Sequence, residues 1–328
     1  MARRGRGAYN DGAMNDTPIV LPPARVEPHR GPPPHEKGPP VFLDYDQVEL
    51  DAAYDQAVYQ PNILQLNKRW ASNSARTRAR IGEPLRRAYG DTAIEQLDIF
   101  ACSKSKAPVF VFIHGGAWIR GSAGSYAAPA EMFLGAGAHY VVPDFINVAE
   151  AGGSLFPMAE QVRRAIVWVW RNAASFGGDP GRLYIGGQSS GAHLAAVAAT
   201  TDWAGAFGLP ADIVKGALTT SGMYELAPVR LSARAGYVKF TDAMVEELSP
   251  IRHLDRLVAP LIVSYGTYET PEFIRQAREF AAAVRDAGKL RELIVGENYS
   301  HLDLPETLCN PYGLLGAAVL RTMGLGPG

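Results

Sequence analysis

Two cysteines in 328 residues, Cys102 and Cys309, are too few for a disulfide framework, and their spacing matches no zinc pattern. Both are expected to be reduced thiols. An excess of charge of either sign is missing too. The formal net charge is -1, which gives no reason to expect nucleic acid or an anionic membrane surface as a partner. The basic start, Arg3, Arg4 and Arg6, is short and reads as a solvated tail. No apolar run reaches the roughly 18–20 residues needed to span a bilayer, and the N-terminus lacks the apolar stretch of a secretory signal. The expectation is a soluble, cytoplasmic chain that does not enter a membrane. The histidines and acids show no ligand spacing, so no metal and no cofactor are expected.

What is present is apolar material. Hydrophobic residues make up 47% and charged residues 20%, enough for a sizeable core. Residues 1–40 stand apart, since nine of the 24 prolines fall there, including Pro32-Pro33-Pro34 and Pro39-Pro40. So little of this segment can bury that ordering it gains nothing, and it reads as a flexible or extended arm. The folded part is expected to run over 41–328. After a helical lead-in near 44–54 and a polar helix over 62–80, an alternating order sets in. Strands are expected at 93–100, 108–113, 139–143, 182–186, 214–220, 261–265 and 290–295. Helices are expected at 127–134, 157–176, 190–200, 271–287 and 306–323. PVFVFI (108–113) is a continuous run of β-formers, the mark of a strand buried on both faces. In the helix over 157–176, Val162, Ala165, Ile166, Val169, Trp170 and Ala173 keep helical spacing. The order predicts an α/β fold with a mostly parallel central sheet and helices on both faces. The segment 224–255 interrupts it and reads as a small helical cap over the sheet's carboxyl end, where ligands bind in such folds.

Three loops carry residues suited to chemistry. Gly187-Gln188-Ser189-Ser190-Gly191 is G-x-S-x-G, set between a strand and a helix. Ser189 is the expected nucleophile, because the flanking glycines permit a sharp turn that lifts its hydroxyl above the sheet. The bland alternative is an ordinary strand-turn-helix junction. His114-Gly115-Gly116-Ala117-Trp118 follows the PVFVFI strand. Its backbone N–H groups at Gly115 and Gly116, with that of Ser190, are the expected oxyanion donors. Of seven histidines, only His301 follows the last strand, where the general base belongs in the order serine, acid, histidine. The acid belongs to the loop after the 261–265 strand. Glu269 is the better placed carboxylate there, and Glu272 and Asp303 are the alternatives. Glu272 in a first helical turn is explained by the helix dipole alone. Among the aromatics, Trp118, Tyr54 and Tyr224 are candidate substrate contacts, with ordinary core packing the competing reading; Trp118 adjoins the oxyanion loop.

These residues sit in a sequence that resembles the α/β-hydrolase superfamily, and within it the kynurenine formamidase (arylformamidase) branch related to hormone-sensitive-lipase-type esterases. The matching stretches include LDAAYD (50–55), FIHGGAWIRG (112–121), GGQSSGAHLAA (186–196), SGMYELAPVRLS (221–232), ETPEFIRQ (269–276) and SHLDLPETL (300–308). The resemblance implies hydrolysis of an N-formyl aryl amine such as N-formylkynurenine, with Ser189, Glu269 and His301 as the triad. It also implies that a homodimer is a common state. Two departures stand out. Asp144-Phe145-Ile146-Asn147 replaces the esterases' D-Y-R, and Gln188 stands where the family often has histidine. The same residues would equally serve a carboxylesterase or carbamate hydrolase for small aromatic esters. A non-catalytic binding protein would be marked by loss of a triad member, and all three are present.

Overall fold

The computed structural model describes residues 31–326; the part of the N-terminal arm before Gly31 lies outside the described residues. Residues 31–40 are mostly exposed and are tied to the start of the first helix, where Lys37 pairs with Glu49 at 3.0 Å. Asp46 Oδ2 receives His35 Nε2 at 2.9 Å and the Gly38 N–H at 2.8 Å. Asp46 also caps the first helix through Glu49 N, with Glu49 returning the bond to Asp46 N, a capping box.

Three helices lead in: α1 (Gln47–Ala53), α2 (Gln56–Tyr59) and α3 (Ile63–Ile81). The sheet and its covering helices follow as β1 (Leu85–Ala88), β2 (Gln96–Phe100), β3 (Ala107–Ile113), α4 (Ala130–Ala136), β4 (His139–Pro143), α5 (Phe156–Asn172), β5 (Gly178–Gln188), α6 (Ser190–Ala199), α7 (Trp203–Phe207) and β6 (Ala217–Thr220). After β6 come α8 (Leu226–Val229), a 3-10 turn Ala233–Gly236, α9 (Asp242–Glu247) and a 3-10 stretch Pro250–Arg256, which together make up the interrupting segment. The chain closes with β7 (Leu261–Gly266), α10 (Pro271–Asp286), β8 (Leu290–Gly296) and α11 (Leu314–Thr322). The eight strands form one sheet in the order β1-β2-β4-β3-β5-β6-β7-β8. The pairs β1/β2 and β2/β4 are antiparallel and all others are parallel.

The PVFVFI run explains why β3 sits centrally. Val109, Val111 and Ile113 join a core layer with Leu183, Ile185 and the inner face of α5, including Val162, Ile166 and Val169. Phe110 and Phe112 point the other way, against Phe133, Tyr140, Leu315 and Val319. Strand period two thus divides one apolar run between two cores. No helix among the described residues is long and apolar enough to cross a membrane.

Several boundaries differ from the sequence reading. β1 carries no apolar alternation, because all four residues of this edge strand are exposed. The expected 93–100 strand starts at Gln96, since Glu95 is spent on a turn, accepting Thr92 N and Thr92 Oγ1. The helix expected over 306–323 is broken into a 3-10 turn Leu304–Cys309 and α11. Pro311 lies in the break, and its ring and missing N–H do not fit a helix interior.

Candidate active site

At the end of β5 the backbone turns sharply. Ser189 has φ 58° and ψ -128°, and α6 begins at the next residue. A left-handed serine at this junction is strained, and close packing holds it. A Cβ on Gly187 would fall inside contact distance of the Gly191 carbonyl, and one on Gly191 would strike the carbonyls of Ile113 and His114. Ser189 N donates to Thr220 O at 2.9 Å, which fastens the turn to β6.

The 114–121 loop folds against this elbow. Gly116 has φ +123°, and Ala117 and Trp118 are also left-handed, at 56° and 64°. Trp118 N donates to Ser190 Oγ at 3.2 Å, and Trp118 Nε1 donates to His193 Nδ1 at 3.3 Å. His193 Nε2 in turn donates to Leu248 O at 2.7 Å. Both ring nitrogens are therefore used by a neutral imidazole, and burial holds its pKa down at about 4. His114 donates through Nδ1 to Gly115 O at 2.9 Å and stacks on Phe145 with centroids 4.3 Å apart. Among the described residues, the backbone N–H groups of Gly116 and Ser190 are not engaged in hydrogen bonds.

Glu269 lies in the loop after β7, and His301 follows β8. His301 Nδ1 and Glu269 Oε2 are 2.7 Å apart, and both side chains are buried. A carboxylate can only accept, so Nδ1 is the donor in this bond. The other carboxylate oxygen, Oε1, accepts from Ser221 Oγ and from Gly266 N, each at 2.6 Å. Phe273 meets the imidazole edge-on at 4.9 Å. The other carboxylates are occupied elsewhere. Glu272 pairs with Arg275 Nε at 2.7 Å and accepts from Tyr54 OH at 2.9 Å, while Asp303 takes Ser300 Oγ and Arg69. His35, Asp46 and Glu49 are grouped closely enough to hold an ion, but their atoms already serve the arm and the α1 cap.

Ser189 and His301 line one cavity of about 480 Å³. Among the described residues no hydrogen bond joins Ser189 to His301; both side chains line the same cavity. Gly116, Ala117 and Arg120 line it from the 114–121 loop, Trp70 from α3, Tyr126 from the 3-10 turn Ala123–Tyr126, and Asp51, Tyr54 and Gln56 from the lead-in. Ser232, Arg234 and Tyr237 close it from the interrupting segment.

Of the three expected substrate contacts, only Tyr54 lines this cavity. Trp118 points away, into the His193 contact, with the Arg234 guanidinium 5.6 Å over its ring. Tyr224 is fully buried and stacked on Phe280 at 4.0 Å, with its hydroxyl accepting from Gly222 N. Both fill core rather than cavity. The sequence reading missed Ser221, whose signal is faint: a left-handed serine (φ 55°) just past β6. It also left Gln188 unassigned, although Gln188 Nε2 reaches the His301 carbonyl at 3.3 Å and so ties the histidine loop to the elbow.

The BD-FAE family model matches residues 97–220, which contain both the glycine loop and the elbow. The chain is 30% identical over 243 residues to the kynurenine formamidase of Danio rerio, spanning 72% of this chain and 80% of that protein. It is 27% identical over 245 residues to an isoprenylcysteine alpha-carbonyl methylesterase of Arabidopsis thaliana, covering 66% of this chain and 56% of the other. Among solved structures, a putative thioesterase from Silicibacter sp. superposes with a TM-score of 0.71 at 23% identity, over 82% of this chain and 98% of that one. That last likeness concerns the fold.

Proposed function

Since this chain belongs to the kynurenine formamidase family of α/β-hydrolases, and is a hydrolase, we propose that it is a serine hydrolase that cleaves an aryl formamide of the N-formylkynurenine kind. Ser189 Oγ attacks the formyl carbon while His301 Nε2 takes its proton. The carbonyl oxygen becomes an oxyanion that accepts the N–H groups of Gly116 and Ser190, with Gly115 the third candidate donor. His301 returns the proton to the departing aryl amine, leaving a formyl-Ser189 ester. Water, deprotonated by His301, attacks that ester and releases formate and the free serine. Glu269 keeps the proton on Nδ1 and stabilises the imidazolium. The observation that carries this reading is the buried Glu269–His301 pair opening onto the same cavity as a left-handed Ser189.

The cavity supports an aromatic substrate. Its volume lies in the usual range for small-molecule sites, and Trp70 and Tyr126 meet edge to face at 5.6 Å on its wall. We read the segment 224–255, with the preceding lead-in, as the cap that sets the leaving-group pocket. The relatives named for ester hydrolysis favour a second reading, a carboxylesterase or carbamate hydrolase for small aromatic esters. It shares every step and differs in the group that leaves. The deciding experiment compares kcat/KM on N-formylkynurenine with that on p-nitrophenyl acetate and butyrate. A clear preference for the formamide supports the first reading. Ester turnover with little formamide cleavage transfers the same mechanism to the second.

A further inference from the structure

Tyr126 lines the cavity and stacks on His114 of the 114–121 loop. It closes the 3-10 turn Ala123–Tyr126 and lines the cavity beside Gly116, Gly121 and Ser189. Its ring is fixed on three sides: Trp70 at 5.6 Å edge-on, Phe112 at 5.9 Å and the His114 imidazole stacked at 5.5 Å. The turn itself is anchored at several atoms. Ala123 N donates to Asp144 Oδ1 at 2.6 Å, Ser74 Oγ donates to Ser125 O at 2.8 Å, and Tyr140 OH donates to Tyr126 O at 3.0 Å.

The phenol is thus held, yet no side chain or carbonyl among the described residues accepts its proton. Burial pushes its pKa up to about 12, with Arg120 and the backbone N–H of Gly115 acting in the opposite direction. The O–H therefore stays protonated in the neutral range.

We propose that Tyr126 is a further catalytic residue, whose hydroxyl donates a hydrogen bond to the oxyanion formed on the substrate when Ser189 attacks. This rests on the serine mechanism proposed above. The proton stays on the phenol; no bond to it breaks. A donor fixed by packing before substrate arrives needs no reorganisation as the charge develops, which is where such donors act most strongly.

The test uses Tyr126→Phe, which keeps the ring and removes only the hydroxyl, with p-nitrophenyl acetate as substrate and phenylboronic acid as probe. Phenylboronic acid forms a tetrahedral adduct on a nucleophilic serine and puts a negative oxygen where the oxyanion would be. The expected result is a fall in kcat of about 10- to 100-fold with KM changed less than about threefold, and a weakening of boronate inhibition by a similar factor. Unchanged kcat and boronate affinity would overturn the assignment, as would a rise in KM alone, which marks contact with the ground state. Ser189→Ala separates the two levels. If boronate binds the parent and Ser189→Ala equally in calorimetric titration, the serine mechanism fails and this proposal with it. If only the parent binds it tightly, the mechanism stands and the Tyr126 result is judged alone. Incorporation of 3-fluorotyrosine at 126 gives a second readout that preserves shape: a more acidic phenol should tighten the boronate, and no change would count against the proposal.

Discussion

Glu269 shows most directly how one residue sets the chemistry of another. Its carboxylate meets three donors, Ser221 Oγ, Gly266 N and His301 Nδ1, and is buried. Replacing it with glutamine keeps the size and offers an amide that can present N–H to Nδ1, which favours the wrong imidazole tautomer. Glu269→Gln is expected to lower kcat by about 10³- to 10⁴-fold with little change in KM. Steady-state kinetics on p-nitrophenyl acetate checks this, and a loss smaller than tenfold would remove Glu269 from the proposed triad. At this scale, legibility followed chain contiguity. Ser189, His301 and Glu269 each announce themselves through neighbours in sequence, by glycines, by position after the last strand, and by the loop after β7. Ser221, Gln188 and Tyr126 do not, because their hydrogen-bond or ring partners lie 48, 113 and 12 or more residues away. Trp118 and Tyr224 were near the site in sequence but not in direction. The left-handed backbone at Trp118 turns its indole toward His193, and Tyr224 turns onto Phe280.

Among the elements, the β5–α6 junction has the least tolerance. The α6 helix starts so close to the end of β3 that Gly191 lies against the carbonyls of Ile113 and His114. These are backbone atoms and cannot swing aside. Gly191→Ala must push α6 off the sheet, moving Ser190 and the 114–121 loop bonded to it through Trp118 N. The expected outcome is loss of most activity together with a destabilisation of about 1–3 kcal/mol, the usual cost of overpacking. Calorimetry and ester kinetics on the same sample check it; full activity in a folded variant would show that the elbow is looser than described. The long apolar strands and amphipathic helices were legible, since periodicity reports burial on one or two faces. Edge strand β1 was not, because an exposed strand has nothing to bury and so no pattern. The split before α11 was missed because the apolar spacing of 304–323 continues across a break in the backbone.

The whole molecule depends on imidazoles kept neutral. His193, on α6, bridges the 114–121 loop and the segment ending at Leu248, with both nitrogens committed. Its folded pKa is about 4, lowered by burial from an ordinary value of 6.5. Between those values the unfolded chain binds the extra proton, so folded stability rises with pH across this window. It is complete above about 6.5 and is lost as pH falls toward 4. His114, also lowered by burial, acts in the same direction. The His193 share is of the order of 3 kcal/mol. In thermal melts from pH 7.5 to 4.5, the parent should lose more stability than His193→Gln, which can still donate and accept. Parallel pH curves would rule out this linkage. That the molecule is a two-faced α/β sheet could be read from strand–helix alternation alone. The cavity could not, because its walls come from the lead-in, α3, the 114–121 loop and the interrupting segment, brought together only by the complete fold.

The central claim is that Ser189 forms a covalent bond during turnover. The most direct measurement treats the protein with a fluorophosphonate, follows activity, and maps the adduct by mass spectrometry. The account predicts one adduct per chain, on Ser189, formed in step with inactivation and absent in Ser189→Ala. An active protein that stays unlabelled, or one inactivated by an adduct on another residue, would contradict it.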